Sequence, residues 1–284
     1  MAVTRDLRNR RFWKSFATHL LSALGALATA LTIIEIFFND TLSRLGGWLF
    51  LLVALAAFLY ALRRSWPRPI EQHYSTPDTV IRLVTGDLFS QSTSLVIGMS
   101  DCFDVETPHI IRTDSVQGQF LSRVYRGDLR KLQSDLAEAL AAETPIEVGV
   151  DKNGNTDRYG CGTVAAIRQH RTYYYCVAYT KMDERNNVSS TIGILWDAME
   201  ELWCEVRRHS NGEPVSVPII GLGQSGLSTV LPIQDAIRFL ILTFMFASRQ
   251  ERVCDELRIV VRAEDEKRVD MLEIQDFLTS LKRS

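Results

Sequence analysis

The sequence predicts a two-part chain: an N-terminal two-helix transmembrane hairpin, followed by one α/β domain with a mixed sheet flanked by helices. Three observations predict it. Ser15–Phe38 and Trp48–Leu62 are apolar stretches set back to back, with basic residues outside both ends. From residue 78 onward, short β-branched runs alternate with amphipathic helical patterns. A glycine-rich loop, Gly221–Gly226, sits between one such run and a helical pattern.

A bilayer core requires ~20 apolar residues per helix. The first stretch satisfies this, and the second does when counted from Leu45. A short turn over residues 39–47 joins them. Arg5, Arg8, Arg10, Arg11 and Lys14 precede the first span, Arg44 lies in the turn, and Arg63, Arg64 and Arg68 follow the second. This bias places both termini and the following domain on the cytoplasmic side. A cleaved signal peptide is excluded by the length of the first run, by the missing cleavage site and by the second run that follows. The N-terminal basic block reads as a topology determinant and anionic-lipid contact rather than a nucleic-acid site, since the whole chain carries a net charge of −2.

Ser22, Ala26 and Ala30, with Gly25 beside them, form a small-residue stripe that suits close helix packing and a homo-oligomer. His19 and Glu35 are ionisable groups inside or at the end of the first span. They either snorkel to an interface or line an oligomer contact or water-filled path.

The organisation expected is residues 1–64 as the hairpin with its basic flanks, 65–77 as a proline-rich connector carrying Pro67, Pro69 and Pro77, and 78–284 as the domain. Within the domain, strands are expected at 79–84, 94–99, 162–168, 173–180, 215–220 and 257–261. Helices are expected at 122–142 with a break near Gly127–Asp128, at 189–209, at 232–247 and at 266–281. Residues 152–157 (KNGNTD) read as a surface turn. The five cysteines, Cys102, Cys161, Cys176, Cys204 and Cys254, are odd in number and scattered, which excludes a disulfide framework. The five histidines show no metal-ligand spacing, so neither a metal nor a cofactor is expected.

Three loops follow predicted strands, where open α/β sheets bind ligands. The first carries Asp87 and Leu88. Asp87 there either accepts a hydrogen bond from an exocyclic amine or caps a turn. The second carries Ser100, Asp101, Cys102, Phe103 and Asp104. Its two acids are either an acid–base pair or solvated, capping groups, and Cys102 has no histidine partner. The third is Gly221, Leu222, Gly223, Gln224, Ser225, Gly226 and Leu227. Its glycine order fits close backbone approach to phosphate oxygens, or else a tight loop that binds nothing. A dinucleotide dehydrogenase would need an acidic residue ~20 positions later at a strand end, and that position falls inside a helix. A nucleophile elbow at Ser225 lacks its final glycine.

In order, LVTGDLF (83–89), LVIGMSDCFD (95–104), DSVQGQF (114–120) and VPIIGLGQSGLS (217–228) resemble the macro domain. Together with the hairpin, they are similar to the membrane-anchored macro effectors of type II Thoeris antiphage systems. The resemblance covers nearly the whole chain and implies a macro-like fold and a pocket for an ADP-ribose derivative. Asp87 would bind the adenine amine, Gly221–Gly226 would wrap the diphosphate, and Ser100, Asp101, Phe103, Ser115, Gln117 and Gly118 would line the distal ribose. It also implies a nucleotide signal, histidine-ADP-ribose by family arrangement, made by a TIR-domain partner. Placement in the bacterial inner membrane, oligomerisation, bilayer disruption and abortive infection would follow. Macro-domain hydrolases carry N-A-A-N and G-G-G-V segments where this chain has GMSD and SVQG. That departure implies recognition without catalysis, against the alternatives of a tethered ADP-ribosyl hydrolase or a non-catalytic membrane scaffold.

Overall fold

The computed structural model describes residues 10–37, 39–65, 70–221, 223 and 226–282. The chain divides into two compact units, residues 1–68 and 69–284. The first unit is a pair of helices, α1 (Arg10–Phe37) and α2 (Asn39–Ser65). Phe16, near the start of α1, packs on Ala61, near the end of α2, with Leu20 and Leu62 around them. The two helices therefore run antiparallel. Ala57 and Ala61, one turn apart, are 1% and 0% exposed, and such small residues let the backbones approach closely.

Two expectations for this unit change. The turn over residues 39–47 is helical and belongs to α2. Extending a formed helix adds one hydrogen bond per residue, which outweighs the ~1 kcal/mol cost of each of Gly46 and Gly47. Among the described residues, no helix is long and apolar enough to cross a membrane. Parts of both apolar runs, residues 34–38, 45–47, 49 and 50, have side chains that lie outside those described. The stripe of Ser22, Gly25, Ala26 and Ala30 is exposed, on the side of α1 away from Ala23, Leu24 and Leu27, while His19 is half-buried. Glu35 lies in α1, with its side chain outside the described set.

The second unit is an eight-stranded mixed sheet in the order β1-β2-β8-β7-β3-β5-β4, with the short β6 paired to β5. The strands are β1 (Ile70–Ser75), β2 (Asp78–Thr85), β3 (Ser94–Ser100), β4 (Val164–Gln169), β5 (Thr172–Met182), β6 (Val188–Ser189), β7 (Val215–Pro218) and β8 (Glu256–Val261). The helices are a short α3 (Val116–Gln119) that continues into a π-turn (Phe120–Val124), then α4 (Leu129–Ala139), α5 (Ile192–Ser210), α6 (Ile233–Gln250) and α7 (Met271–Leu281). β2, β8, β7, β3 and β5 are mutually parallel, whereas the outer strands β1 and β4 pair antiparallel.

β1 corrects the expected connector. Ile70–Ser75 alternates well enough to bury Tyr74, whose hydroxyl donates to the Leu278 carbonyl at 2.8 Å, and it pairs with β2 from Ile70↔Leu83 to Ser75↔Asp78. Pro77 sits in the tight turn after the strand, where the absent N–H costs no ladder bond. Residues 66–69 lie outside the described residues.

Each face of the sheet carries a core. On one side α5, α6 and α7 cover Val96, Tyr175, Val177, Val217 and Ile259. Helix α5 presents Leu195, Met199, Leu202, Trp203 and Val206, fully buried at helical spacing. Thr191 caps its start by accepting from the Ile194 N–H, and Asn211 ends it at φ 49°. On the other side α3, the π-turn and α4 cover Leu95, Ile97, Met99 and Ala178. β3 is buried along nearly its whole length because both faces are covered, which is why its sequence is a continuous apolar run.

Candidate functional site

Because β2, β8, β7 and β3 are adjacent and parallel, the loops after β2, β7 and β3 leave the same edge of the sheet. The three loops thus share one edge, with the β8 loop, residues 262–265, lying between the first two. Its Arg262 meets Glu264 at 2.7 Å and Asp265 at 2.8 Å.

Asp87 ends the β2 loop as the N-cap of a 3₁₀ turn over Leu88–Ser90. Its carboxylate accepts from the Phe89 N–H at 3.1 Å and the Ser90 hydroxyl at 2.8 Å, and meets Arg123 at 2.7 Å. The Arg123 hydrogen bond leads the effects that hold its carboxyl below the usual carboxylate range. The turn-capping geometry is therefore present, and 41% of the side chain remains exposed for a ligand. Leu88 points into the core instead.

The β3 loop revises the acid–base reading. Asp101 and Asp104 are each 1% exposed and engaged by different cations. Asp101 accepts from the Met182 N–H at 2.9 Å and faces the Arg158 Nε at 3.3 Å. Asp104 meets Lys152 Nζ at 2.9 Å and accepts from the Asn155 N–H at 2.7 Å. Burial pushes both carboxyls upward, countered chiefly by the Met182 N–H for Asp101 and by Lys152 for Asp104. Committed in this way, they hold the loop in shape and leave no free acid and base facing each other. Cys102 is buried, its thiol pushed up to about 11 by burial, so it is an inert thiol. Phe103 turns into the core at φ 50° and meets the Tyr159 ring edge-on at 5.6 Å. Ser100 is 3% exposed, and its Oγ has no partner among the described residues, an orphaned polar atom at the strand's end that a ligand or water would satisfy.

The KNGNTD segment is a surface turn, with Asn153, Gly154 and Thr156 exposed, but one that Lys152 and Asn155 clamp onto the β3 loop. Asn155 Nδ2 donates to the Cys102 and Phe103 carbonyls at 3.0 Å, and the Lys152 side chain is 0% exposed. Residues 114–120 complete this side. Ser115 caps α3 by accepting from the Gly118 N–H at 3.0 Å, and Gln117 donates to the Asp104 carbonyl. Gly118 lies so close to the backbone of Thr113 that a Cβ would fall 2.8 Å from its Cα.

In the β7 loop, Gly221 adopts φ 90° and Gly226 φ 74°, conformations that favour glycine. Leu227 is buried and packs on Gly221, Gly223 is exposed, and Leu222, Gln224 and Ser225 lie outside the described residues. Leu227–Thr229 form a 3₁₀ turn, and the helix expected from residue 232 follows as α6, beginning at Ile233. The sequence missed Tyr179, which braces this loop. β5 carries one extra residue there, since Met99 pairs with Ala178 and Ser100 with Thr180. The bulge re-aims Tyr179 across β3, where its hydroxyl comes near the Gly221 backbone.

A cavity of about 460 Å³ opens beside the end of β5, lined by charges of both signs, among them Asp101, Glu147, Arg158, Lys181 and Asp183. Among the described residues, no cluster of His, Cys, Asp or Glu is placed to hold a metal ion.

Residues 81–262 match the family described as Thoeris protein ThsA, Macro domain. Solved structures of the Oceanobacillus iheyensis macrodomain share the fold. A mutant of it with ADPR is 12% identical at a TM-score of 0.50, covering 74% of this chain and 99% of that one. The same macrodomain with ADP is 12% identical at a TM-score of 0.50, covering 76% of this chain and all, 100%, of that one. No curated protein matches the chain. With the match extending over well over half its length and the parallel strands and loops arranged as described, the chain belongs to the Thoeris ThsA macro-domain family.

Proposed function

We propose that this chain is a membrane-anchored effector of antiphage defence whose macro domain binds an ADP-ribose-derived signal made by a TIR-domain partner. Binding drives the chains to associate, and the associated hairpins disrupt the bilayer, causing abortive infection. The observation that carries the reading is the union, in one chain, of a ThsA-family macro domain with a helical hairpin whose large apolar side chains face outward. Leu21 is 69% exposed, Leu52 63% and Trp48 78%. Such a surface is unfavourable in water and matched to hydrocarbon.

The ligand enters at the loops after β2, β3 and β7. Asp87 and the unpartnered Ser100 Oγ supply polar contacts, and Gly221–Gly226 supplies backbone amides for a diphosphate. The burial and pairing of Asp101 and Asp104 support recognition without turnover. Ligand binding shifts association only if the associated state binds the ligand more tightly.

Calorimetry on the full-length chain in detergent tests this, with ADP-ribose and histidine-ADP-ribose as titrants. Binding that weakens in Asp87→Ala and enlarges the oligomer by native mass spectrometry supports the reading. No heat with either titrant overturns it. Turnover of an ADP-ribosylated protein that disappears in Asp101→Asn would assign hydrolysis instead.

A further inference from the structure

A second cavity, of about 640 Å³, runs from Phe89 and Arg123, beside the turn that Asp87 caps, towards the starts of β3 and β5. Leu95 and Tyr174, near the starts of β3 and β5, line its floor, together with the β4–β5 turn. Parallel strands put those starts at the edge opposite the loops after β2, β3 and β7. The lining carries four cationic or protonatable side chains, Arg123, Arg126, Lys131 and His170, and no carboxylate.

The acids next to the cavity are held by its lining or by backbone. Asp87 meets Arg123, Asp128 accepts from the Lys131 backbone N–H at 3.0 Å, and Asp135 accepts from Tyr125 at 2.8 Å and Gln169 at 2.6 Å. Among the described residues, no carboxylate forms an ion pair with Arg126 or Lys131. Arg126 and His170 also hold left-handed backbone conformations, at φ 55° and 56°, which non-glycine residues adopt at a cost. Two such residues on one basic cavity add a backbone cost to the concentration of charge.

We propose that this cavity is a second ligand site, taking a phosphate-bearing small molecule at Arg126 and Lys131, away from the loops after β3 and β7. Its volume suits a nucleotide-sized ligand. Arg126 and Lys131 meet the phosphate charge, since Arg123 is already paired with Asp87. Tyr174 supplies an aromatic wall.

The test is equilibrium titration of the full-length chain with ADP and with inorganic pyrophosphate. Wild type is expected to take two ADP per chain, and pyrophosphate with an affinity that falls as salt rises. Arg126→Glu/Lys131→Glu is expected to lose one ADP site and at least tenfold in pyrophosphate affinity at an unchanged melting temperature. Arg126→Gln/Lys131→Gln, which leaves no like charges to repel, is expected to lose affinity in the same direction. Loss of the ADP site without any pyrophosphate binding in wild type would assign a nucleotide rather than free phosphate. A wild type that takes one ADP, lost in the double variant, would leave this site standing and count against the opposite-edge reading. Unchanged stoichiometry and affinity in both double variants would overturn the proposal. So would an equal loss in Arg185→Glu/Lys282→Glu, which makes the same charge change elsewhere.

Discussion

The Tyr179 ring crowds Gly98 so closely that a Cβ at position 98 would fall 2.5 Å from its Cε1. The same tyrosine carries its hydroxyl towards the Gly221 backbone. Gly98→Ala is therefore expected to destabilise the domain by about 1–3 kcal/mol through overpacking, read as a lower urea midpoint. Tyr179→Phe keeps the ring and removes the hydroxyl beside Gly221, at an expected cost of about 0.5–1.5 kcal/mol. Its larger expected effect is weaker ADP-ribose binding by calorimetry, because the first glycine of the loop loses its brace.

The buried pair of Lys152 and Asp104 makes the clamp testable. Lys152→Met leaves Asp104 charged and unpaired in the interior, at an expected cost of about 3–5 kcal/mol. Lys152→Met/Asp104→Leu removes both charges and should recover much of that loss. Chemical denaturation of the four species completes the cycle, and additive losses would show that the pair is uncoupled.

Two glycines at positive φ separate backbone cost from steric cost. Gly149, at φ 75°, has open space where a Cβ would go, so Gly149→Ala should cost about 1–2 kcal/mol for the left-handed conformation alone. Gly154, at φ 92°, has Asp104 Oδ1 and Ile110 Cδ1 in that position. Gly154→Ala should therefore lose distinctly more in a thermal melt. Equal losses would place the clamp away from the Asp104 loop.

Asp87 and Arg123 give a pH signature. Arg123 lowers the Asp87 pKa in the folded chain, so the stabilisation is present above the unfolded carboxylate pKa and lost as pH falls through the folded value. Both side chains are about 40% exposed, at 42% and 41%, so the effect on stability is small. Arg123→Gln should raise the Asp87 midpoint in a carbon-detected NMR titration. An unmoved midpoint would remove Arg123 as its cause.

In the hairpin, Ala61→Leu should disrupt packing against Phe16 and loosen the pair of helices, whereas Gly25→Leu and Ala26→Leu lie on the exposed side of α1. The latter two are expected to leave the helical signal intact while reducing cross-linked oligomer and toxicity. Unchanged killing would show that this face does not carry the association.

The sequence by itself determined the elements and their order. Continuous apolar runs marked the covered strands such as β3, helical spacing from Leu195 to Val206 marked α5, and the glycines at 221, 223 and 226 marked the β7 loop. These follow from short-range periodicity, which one chain segment displays alone. Tertiary structure decided what the polar residues do. KNGNTD read only as a surface turn because nothing local shows that Lys152 meets Asp104 across 48 positions. Ile70–Ser75 read as a connector between prolines because an edge strand is stabilised by its partner, β2, rather than by its own composition. Tyr179 read as one more strand aromatic because a bulge is visible only once β5 is paired with β3. Pairing, burial and charge compensation depend on residues distant in sequence, and they separated the acids that hold the loops from the groups left open to a ligand.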